Sequence, residues 1–502
     1  MEHLPILIPL PLLAASLVVP LAGLWAPRAV FPLSVAAIAL SAAMSALALA
    51  EVVAEGEALR YTLGGWAPPI GIEYVVDHVS AFVAAVITSV ALMVVVAARR
   101  AAAREAAGRR GLFYALVLLL LAGLTGMVVT GDLFNVFVFM EISSLAAYAL
   151  VSLGGRAGMF AAYRYLILGT VGGSFYLLGV AFLYFTTGTL NIADTARLLA
   201  ETEPNISVAV GAAFIFAGLG VKMALIPLHL WLPDAYTFAP SSVNSLIAPI
   251  MTKVGAYVMV RMFLSVFPEG YLTEEVPVSQ ALIALGLAGS VYGAYAAMGQ
   301  RDLRRMLAYS SVSQLGLLAV GIGIATPLGL AAALLHVMNH ALMKGALFLV
   351  AMSMRMGAGV SDVRMLAGVG RRMPVTSSVF AVGAVAMVGI PPTAGFFSKW
   401  YLSIAAIDEG LWFVLAVVLA SSLLSAVYLF RVIERLYLAP APVIAGGADD
   451  GSESDAAASA QDGGVRESPL DVTLPMALLA LAAIVLGVLN VVVMERVLEP
   501  GL

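Results

Sequence analysis

Long apolar segments separated by short polar stretches make up most of the chain. A membrane-spanning helix requires about 20 mostly apolar residues, and one such segment follows another along the sequence. We place them at residues 4–26, 29–50, 77–98, 111–129, 132–153, 161–186, 207–230, 240–266, 277–298, 304–324, 328–353, 374–403, 410–434 and 472–494. The pattern therefore predicts an all-α polytopic membrane protein of about fourteen transmembrane helices.

Glycine and proline interrupt two of these predicted spans next to a lysine. In the seventh span Gly220 and Lys222 lead to Pro227, and in the twelfth span Pro391 and the proline after it lead to Lys399. Proline removes a backbone donor and glycine loosens a helix. Broken helices at corresponding places in two halves indicate an inverted-repeat transporter, but prolines also occur in membrane helices for packing reasons. Both interpretations remain open from this pattern alone.

Arginines are concentrated in alternate loops of the predicted arrangement. They cluster at residues 99–110, 156–164, 301–305, 355–372 and 431–435. The intervening loops are acidic, as at residues 51–57, 194–203 and 269–275. Because cytoplasmic loops of membrane proteins collect basic residues, we expect the arginine-rich loops to be cytoplasmic and both termini to lie outside.

Composition narrows the possible partners and chemistry. Of the 502 residues, 62% are hydrophobic and 11% are charged, whereas soluble domains carry about 25% charged residues. The net charge of −4 and the lack of a basic block argue against nucleic acid as a partner. The chain has no cysteine, so it offers no disulfide, thiolate zinc site or iron–sulfur ligand set. We predict lipid and other membrane subunits as partners, with no cofactor and no metal.

The two ends of the chain contain further features. Met1–His3 precede the first apolar run without a basic leader or cleavage signal, so we expect a retained helix and not a signal peptide. Residues 439–470 are rich in Ala, Gly, Ser and Asp and show no apolar periodicity, which predicts a disordered cytoplasmic linker. A docking role for this segment is the alternative.

All four lysines of the chain lie within apolar segments. They are Lys222, Lys253, Lys344 and Lys399, whereas most arginines are in loops or at helix ends. An intramembrane lysine costs about 2.5–3.5 kcal/mol on insertion scales and usually marks an ion or proton route. A lysine removed from water can also release its proton, which arginine does not. The alternative is a structural ion pair or a side chain that reaches the interface.

Glu141 is the acidic residue deepest within a predicted span. Ser144 and Tyr148 follow it at helical spacing. A charged carboxylate in this position requires a cationic partner, and that pairing would change the proton affinity of both groups. Alternatively, a protonated Glu141 hydrogen-bonds between helices.

His336, His340 and Lys344 occupy one face of a single predicted helix, with Asn339 beside them. A row of polar groups inside a membrane helix indicates a relay for protons. Two histidines four residues apart can also bind a metal, but no nearby Glu or Cys completes a ligand set. Interhelical packing is the third interpretation, and the same interpretation is the simplest for the small-residue run at 169–174.

Six segments together resemble the proton-translocating membrane subunits shared by Mrp cation/proton antiporters, respiratory complex I and membrane-bound hydrogenases. They are Thr130–Glu141, Gly220–Ala235, Met251–Tyr257, Ala308–Gly316, His336–Phe348 and Gly389–Lys399. The resemblance covers nearly the whole chain. It implies fourteen helices with an inverted five-helix repeat.

The resemblance divides the chain into five parts. Residues 1–110 would form three N-terminal helices, 111–266 and 277–438 the two repeat units, 439–470 the linker, and 471–502 the final helix and C-terminus. It also implies roles for the intramembrane residues. Glu141 and Lys222 would form a coupled acid–lysine pair, and Lys253 would pass protons along the membrane midplane. His336, His340 and Lys344 would continue the route to the terminal carrier, Lys399.

Within this superfamily the segments at 131–135 and 187–194 are most similar to the D-type subunit of the Mrp antiporters. We therefore expect a transporter subunit, not an enzyme, that exchanges protons for a monovalent cation, Na⁺, in a prokaryotic plasma membrane. The alternatives are a proton-pumping subunit of complex I or a hydrogenase, and a scaffold without transport. Four intramembrane lysines argue against the scaffold because each carries an insertion cost.

Overall fold

The computed structural model of the protein describes residues 3–439 and 465–502. The predicted linker at 439–470 lies mostly outside the described residues. Its last residues, from Val465 onward, are described and pack against the helix bundle, where Ser468 is buried.

The described chain folds almost entirely into helices. They are α1 (Leu4–Leu7), α2 (Leu10–Trp25), α3 (Val30–Glu55), α4 (His78–Ala97), α5 (Arg99–Glu105), α6 (Arg110–Val129), α7 (Leu133–Ser152), α8 (Gly155–Thr187), α9 (Ile192–Glu201), α10 (Ile206–Met223), α11 (Trp231–Phe238), α12 (Ser241–Ser265), α13 (Val278–Met298), α14 (Leu303–Ile324), α15 (Pro327–Ala358), α16 (Val369–Arg372), α17 (Pro374–Val388), α18 (Ala394–Asp408), α19 (Trp412–Tyr437), α20 (Leu470–Val488) and α21 (Asn490–Val493). One antiparallel hairpin, β1 (Leu59–Thr62) and β2 (Glu73–Val76), precedes α4.

Thirteen helices of the described residues are long and apolar enough to cross a membrane, counting α1 and α2 as one. The predicted span at 374–403 is divided into α17 and α18, each of 15 residues. The predicted span at 207–230 ends as a helix at Met223 and resumes in α11 after a turn. The predicted all-α polytopic fold with two interrupted helices is thus confirmed.

Two short backbone bridges reveal an internal repeat. At the start of α7, Asp132 pairs with Asn191, which follows α8, and at the start of α14, Asp302 pairs with Asp362, which follows α15. All four side chains also accept hydrogen bonds from backbone N–H groups at the start of the helical segment that follows them. Five spans separate the α7 start from the α14 start, so the two bridges lie at opposite faces of the bundle. The repeat is therefore inverted.

α15 lies at the centre of the molecule. Its residues from Gly329 to Met354 are all buried, and it packs against α12, α14, α17, α18 and α20. Because every face of α15 is covered by protein, polar side chains on this helix do not meet lipid. The helix can carry such side chains within the thickness of the membrane.

Carboxylates from distant segments cap two helices at the end of the bundle that carries the loop between α4 and α6. Glu105 accepts hydrogen bonds from the backbone N–H groups of Ser241 and Ser242 at the start of α12, at 2.8 and 3.0 Å. Glu467 accepts one from the N–H of Val375 at the start of α17, at 2.7 Å. Both contacts place a negative charge at a helix N-terminus, where the helix dipole favours it.

At the opposite end, Arg261 of α12 holds Asp77, which caps α4. The two Arg261 amino groups each lie 2.6 Å from an Asp77 carboxylate oxygen. Burial by itself would raise the pKa of the Asp77 carboxyl, but the Arg261 charge and hydrogen bonds from Arg261 and Ser80 lower that pKa to about 2. This ion pair ties the N-terminal helices to the first repeat.

We predict that Asp77→Asn lowers the free energy of unfolding at pH 7 by about 2 kcal/mol. Removing one partner of a fully buried ion pair typically costs about 3–5 kcal/mol. The expected loss is smaller here because 28% of the Asp77 side chain is exposed. Since the pKa of Asp77 is lowered in the folded protein, the pair contributes fully above about pH 4 and its contribution is lost as the pH falls through about 2. Thermal unfolding of the detergent-solubilised protein measures the difference.

Asp194→Asn is the matched control for that measurement. Asp194 pairs with Arg197 at 2.6 Å, but 58% of the arginine side chain is exposed, so the control should leave the melting temperature unchanged. Equal losses of stability in the two variants would contradict the role given to the Asp77–Arg261 pair.

Candidate functional site

The Glu141 and Lys222 side chains meet between α7 and α10. Lys222 Nζ lies 3.2 Å from Glu141 Oε1 and donates a hydrogen bond to Ser144 Oγ at 2.8 Å. The Lys222 side chain is 7% exposed and that of Glu141 is 23% exposed. The two residues that the sequence analysis pairs are therefore in contact, and the carboxylate has the more open surroundings.

Glycines of α8 make room for this pair. A Cβ at Gly173 would collide with the Glu141 carboxylate, and one at Gly169 would collide with the Tyr148 hydroxyl. A Cβ at Gly172 would press on Val221, next to Lys222. The small-residue run of α8 is thus a packing face, and it also leaves space for the polar groups of α7.

Lys222 lies in the last turn of α10, where the helix breaks. The chain turns through Ala224, whose φ of 60° is left-handed, and resumes in α11. The Trp231 indole N–H donates a hydrogen bond to the Val221 carbonyl oxygen at 2.9 Å. A lysine at this position also lies near the negative end of the α10 dipole.

Lys253 is fully buried in the middle of α12. Its Nζ donates to the Ala248 carbonyl oxygen at 2.6 Å, immediately before Pro249, and approaches the Thr252 hydroxyl at 3.4 Å. No carboxylate forms an ion pair with Lys253 in the part of the chain that the structure describes. Neutral oxygen atoms are therefore its hydrogen-bond partners.

The three predicted residues of α15 line up along one face of that helix. The His336 and His340 rings are nearly parallel, with centroids 5.8 Å apart. Lys344 Nζ donates to the Leu307 carbonyl of α14 at 2.7 Å and also contacts Ser310 Oγ. The row therefore runs from α18, which His336 touches, to α14.

His336 links this row to the second interrupted helix. Its Nδ1 lies 2.9 Å from the Ser398 hydroxyl, next to Lys399. The Asn339 amide donates to the Ala394 carbonyl at the start of α18, at 2.6 Å. The charges of Lys253, Lys344 and Lys399 all act on His340, so these three lysines and the two histidines form one cluster.

The Lys399 side chain, on α18, reaches the C-terminal end of α17. Its Nζ donates to the carbonyl oxygens of Met387 at 2.8 Å and Val388 at 3.0 Å, the last residues of α17. Terminal carbonyls of a helix have no partner within the helix and carry its negative partial charge. Gly389 follows with φ of 88°, and a Cβ there would lie 3.2 Å from Lys399 Cδ. The Lys399 ammonium group is thus bound at the break between α17 and α18.

Serine doublets supply hydroxyls to three of the four lysines. Lys222 binds Ser144, Lys344 binds Ser310 and Lys399 binds Ser422, the last at 3.0 Å. The other serine of each doublet accepts no hydrogen bond from a lysine among the described residues. Its hydroxyl donates to a backbone carbonyl of its own helix. These neighbours are Ser143, Ser311 and Ser421. In each doublet one serine is therefore the hydrogen-bond partner of a lysine, and the hydroxyl of the other bonds only within its own helix.

Several buried polar atoms near the cluster have no hydrogen-bond partner among the described residues. They include both ring nitrogens of His340, Nε2 of His336, the side-chain amide of Gln314 and both ring nitrogens of His229. Buried polar atoms of this kind are the positions at which ordered water binds in proteins.

His229 and Gln314 were not predicted as site residues. His229 lies in the break between α10 and α11, 3% exposed, with its ring 5.2 Å from that of Tyr292. Both residues lie inside segments that carry the family resemblance, 220–235 and 308–316, so a signal was present in the sequence. Among the described residues, no group of three or more His, Asp or Glu is arranged to hold a metal ion.

Comparison with known proteins gives relatives along the full length. The chain is 44% identical over 514 aligned positions to the NADH-quinone oxidoreductase subunit N of Desulforudis audaxviator, covering 100% of this chain and 98% of that protein. It is 32% identical over 373 positions to the D-type subunit of the Na⁺/H⁺ antiporter of Alkalihalophilus pseudofirmus, covering 74% of each chain.

Solved structures of membrane complexes also match the chain over its full length. A chain of the membrane-bound sulfane sulfur reductase, an archaeal respiratory membrane complex, matches with a TM-score of 0.88 and 32% identity over 100% of this chain and 97% of that chain. A chain of the Mrp complex from Dietzia sp. matches with a TM-score of 0.87 and 27% identity over 100% and 96%. The family model for the transmembrane region of NADH:quinone oxidoreductase and Mrp antiporter subunits matches residues 130–425. The chain therefore belongs to the NADH:quinone oxidoreductase/Mrp antiporter transmembrane family.

Proposed function

We propose that the chain is the proton-translocating subunit of a multisubunit antiporter that exchanges a monovalent cation, Na⁺, for protons across a prokaryotic plasma membrane. Both termini would lie outside. The observation that supports the proposal is the set of ionisable side chains enclosed by the helices of both repeats. These are the Glu141–Lys222 pair and the cluster of Lys253, His336, His340, Lys344 and Lys399. A helix bundle held together by packing alone needs none of these groups.

Coupling would begin at the Glu141–Lys222 pair. The carboxylate stabilises the charged form of the lysine while the two atoms are 3.2 Å apart. When Glu141 moves away, Lys222 loses that stabilisation and passes its proton toward Lys253. The greater exposure of Glu141, at 23%, supports its role as the partner that moves.

The central part of the route would run through α12 and α15. Lys253 and Lys344 each donate to neutral oxygens, at Ala248 and Leu307. A lysine with neutral partners can lose its proton without leaving a buried carboxylate unpaired. His340 lies within electrostatic range of both, and an imidazole can accept a proton at one nitrogen and release one at the other.

Lys399 would be the terminal carrier. Its three oxygen partners come from α17 and α19, not from α18 itself. A small displacement of α18 relative to those helices would therefore change the surroundings of the ammonium group. Proton release there would complete transfer across the second repeat.

A second function is favoured by two specific observations. The 44% identity over the full chain is to a NADH-quinone oxidoreductase subunit, and one matching structure is a respiratory complex. The same row of groups would then pump protons under the control of a redox partner. The two functions share the proton route and differ in what drives it.

We predict that Lys222→Ala abolishes cation/proton exchange while the complex still assembles. Everted membrane vesicles that contain the full complex would receive a pH gradient from a separate respiratory pump, and the collapse of that gradient on adding NaCl would be followed. The variant should show only the background of vesicles without the complex, and Glu141→Gln should behave in the same way because the lysine loses its partner. Lys222→Arg should also be inactive, since arginine keeps its proton.

Arg197→Met is the matched control for the charge loss. Arg197 is a basic residue paired with a carboxylate, but 58% of its side chain is exposed. It should retain wild-type exchange. Loss of assembled complex in the Lys222→Ala membranes would instead assign Lys222 a structural role.

The serine doublets allow a finer test of lysine positioning. Ser422→Ala removes one of the three Lys399 partners and should slow exchange about fivefold, the effect of one hydrogen bond of about 1 kcal/mol. Ser421→Ala should have no effect on exchange, because its hydroxyl donates only to the Val418 carbonyl of its own helix. Initial rates in the same vesicles measure both, and equal rates in the two variants would contradict the positioning role.

The driving force can be tested on the wild-type complex. An antiporter should collapse an imposed pH gradient when NaCl is added and should do so without any electron donor. A redox-driven pump should give no response to NaCl and should acidify everted vesicles only when donor and acceptor are supplied. The second result would contradict the antiporter function and support the redox-driven one. The proposed proton route would be the same in both cases.

A further inference from the structure

A lateral groove lies between the end of α2, the start of α3 and the start of α6, and none of the four lysines lines it. Its volume is about 590 Å³. Its wall is largely apolar and is formed by Pro20, Leu21, Gly23, Leu24, Pro27, Val30 and residues 107–112. α2 and α6 approach closely at its base, where a Cβ on Gly23 would lie 3.3 Å from Gly111 Cα.

The groove opens to the side of the bundle. Leu21, Leu24 and Leu112 in its wall are 52%, 73% and 60% exposed. Trp25, at the end of α2, is 81% exposed beside it. Tryptophan is enriched where membrane helices meet the headgroup layer, so the groove spans the boundary between acyl chains and headgroups.

Basic residues without a carboxylate partner surround the mouth of the groove. Arg109 and Arg110 line it, and Arg28 follows the lining residue Pro27. None of the three forms an ion pair with a carboxylate of the described chain. Glu105 is the nearby acidic residue of this loop, and its two oxygens are occupied by the start of α12. The mouth therefore keeps its positive charge.

We propose that this groove binds an anionic phospholipid, with the acyl chains against the apolar wall and the phosphate near Arg109 and Arg110. Apolar surface alone would accept any lipid, but the unneutralised arginines favour a negative headgroup. Basic pockets between membrane helices recognise lipids in this way. The loop that carries these arginines is also the one that the distribution of basic residues predicts to be cytoplasmic.

The test is native mass spectrometry of the full-length chain with added phosphatidylglycerol or phosphatidylcholine. The wild type should bind phosphatidylglycerol in preference. Arg109→Ala combined with Arg110→Ala should weaken phosphatidylglycerol binding roughly 30-fold, the combined effect of two basic residues at an anionic surface. Lysine at both positions should restore most of the binding because the charge is kept.

Arg156→Ala combined with Arg435→Ala is the matched control. Both arginines are exposed, lie at the same end of the bundle and are away from the groove, so this variant should bind as the wild type does. An equal loss in the control, or equal binding of the two lipids by the wild type, would overturn the proposal. Binding that occurs in the free chain and is absent from the assembled complex would assign the groove to a neighbouring subunit.

Discussion

The cost of an ammonium group in an apolar bilayer is the constraint on which the interior of this protein depends. Each buried lysine must find oxygen atoms within the protein. Two sources recur, namely backbone carbonyls at or near a helix irregularity and serine hydroxyls from a neighbouring helix. Lys399 uses both, because the end of α17 supplies Met387 and Val388 and α19 supplies Ser422. The interruption between α17 and α18 thus supplies the carbonyl oxygens that surround the Lys399 ammonium group.

Carboxylates are used sparingly in the same interior. Glu141 is the acidic partner of Lys222, whereas Lys253, Lys344 and Lys399 donate to neutral atoms. A close ion pair would hold each lysine in its charged form, and a chain of such pairs would resist proton movement. Neutral partners stabilise the ammonium less and leave the proton free to exchange. In the proposed route the carboxylate that pairs with a lysine therefore lies at one end only, at Glu141.

The strong ion contacts lie instead at the two ends of the bundle, where they fix helices in place. Asp77 and Arg261 join α4 to α12 at one end. Glu105 and Glu467 cap α12 and α17 at the other. The bridges Asp132–Asn191 and Asp302–Asp362 repeat the same local design at opposite faces. These contacts fix the positions of helices that surround the lysines at both ends of the bundle.

Sequence alone determined the all-α membrane fold of this protein, the order of its apolar segments and the presence of four lysines within them. Apolar segments of about 20 residues fix the spans because the bilayer has a fixed thickness, and the four lysines stand out because each is costly there. Apart from the Glu141–Lys222 pair, which the family resemblance implies, the sequence could not decide which groups meet. The contact of Lys222 with Ser144, the link from His336 to Ser398 and the enclosure of α15 join residues from distant helices, and local periodicity holds no information on such contacts. His229 lies in a segment that carries the family resemblance, but its burial at a helix break depends on how α10, α11 and α13 pack. Only the tertiary structure decided which of these polar residues are partners, because hydrogen-bond partners within a membrane protein are set by which helices lie side by side.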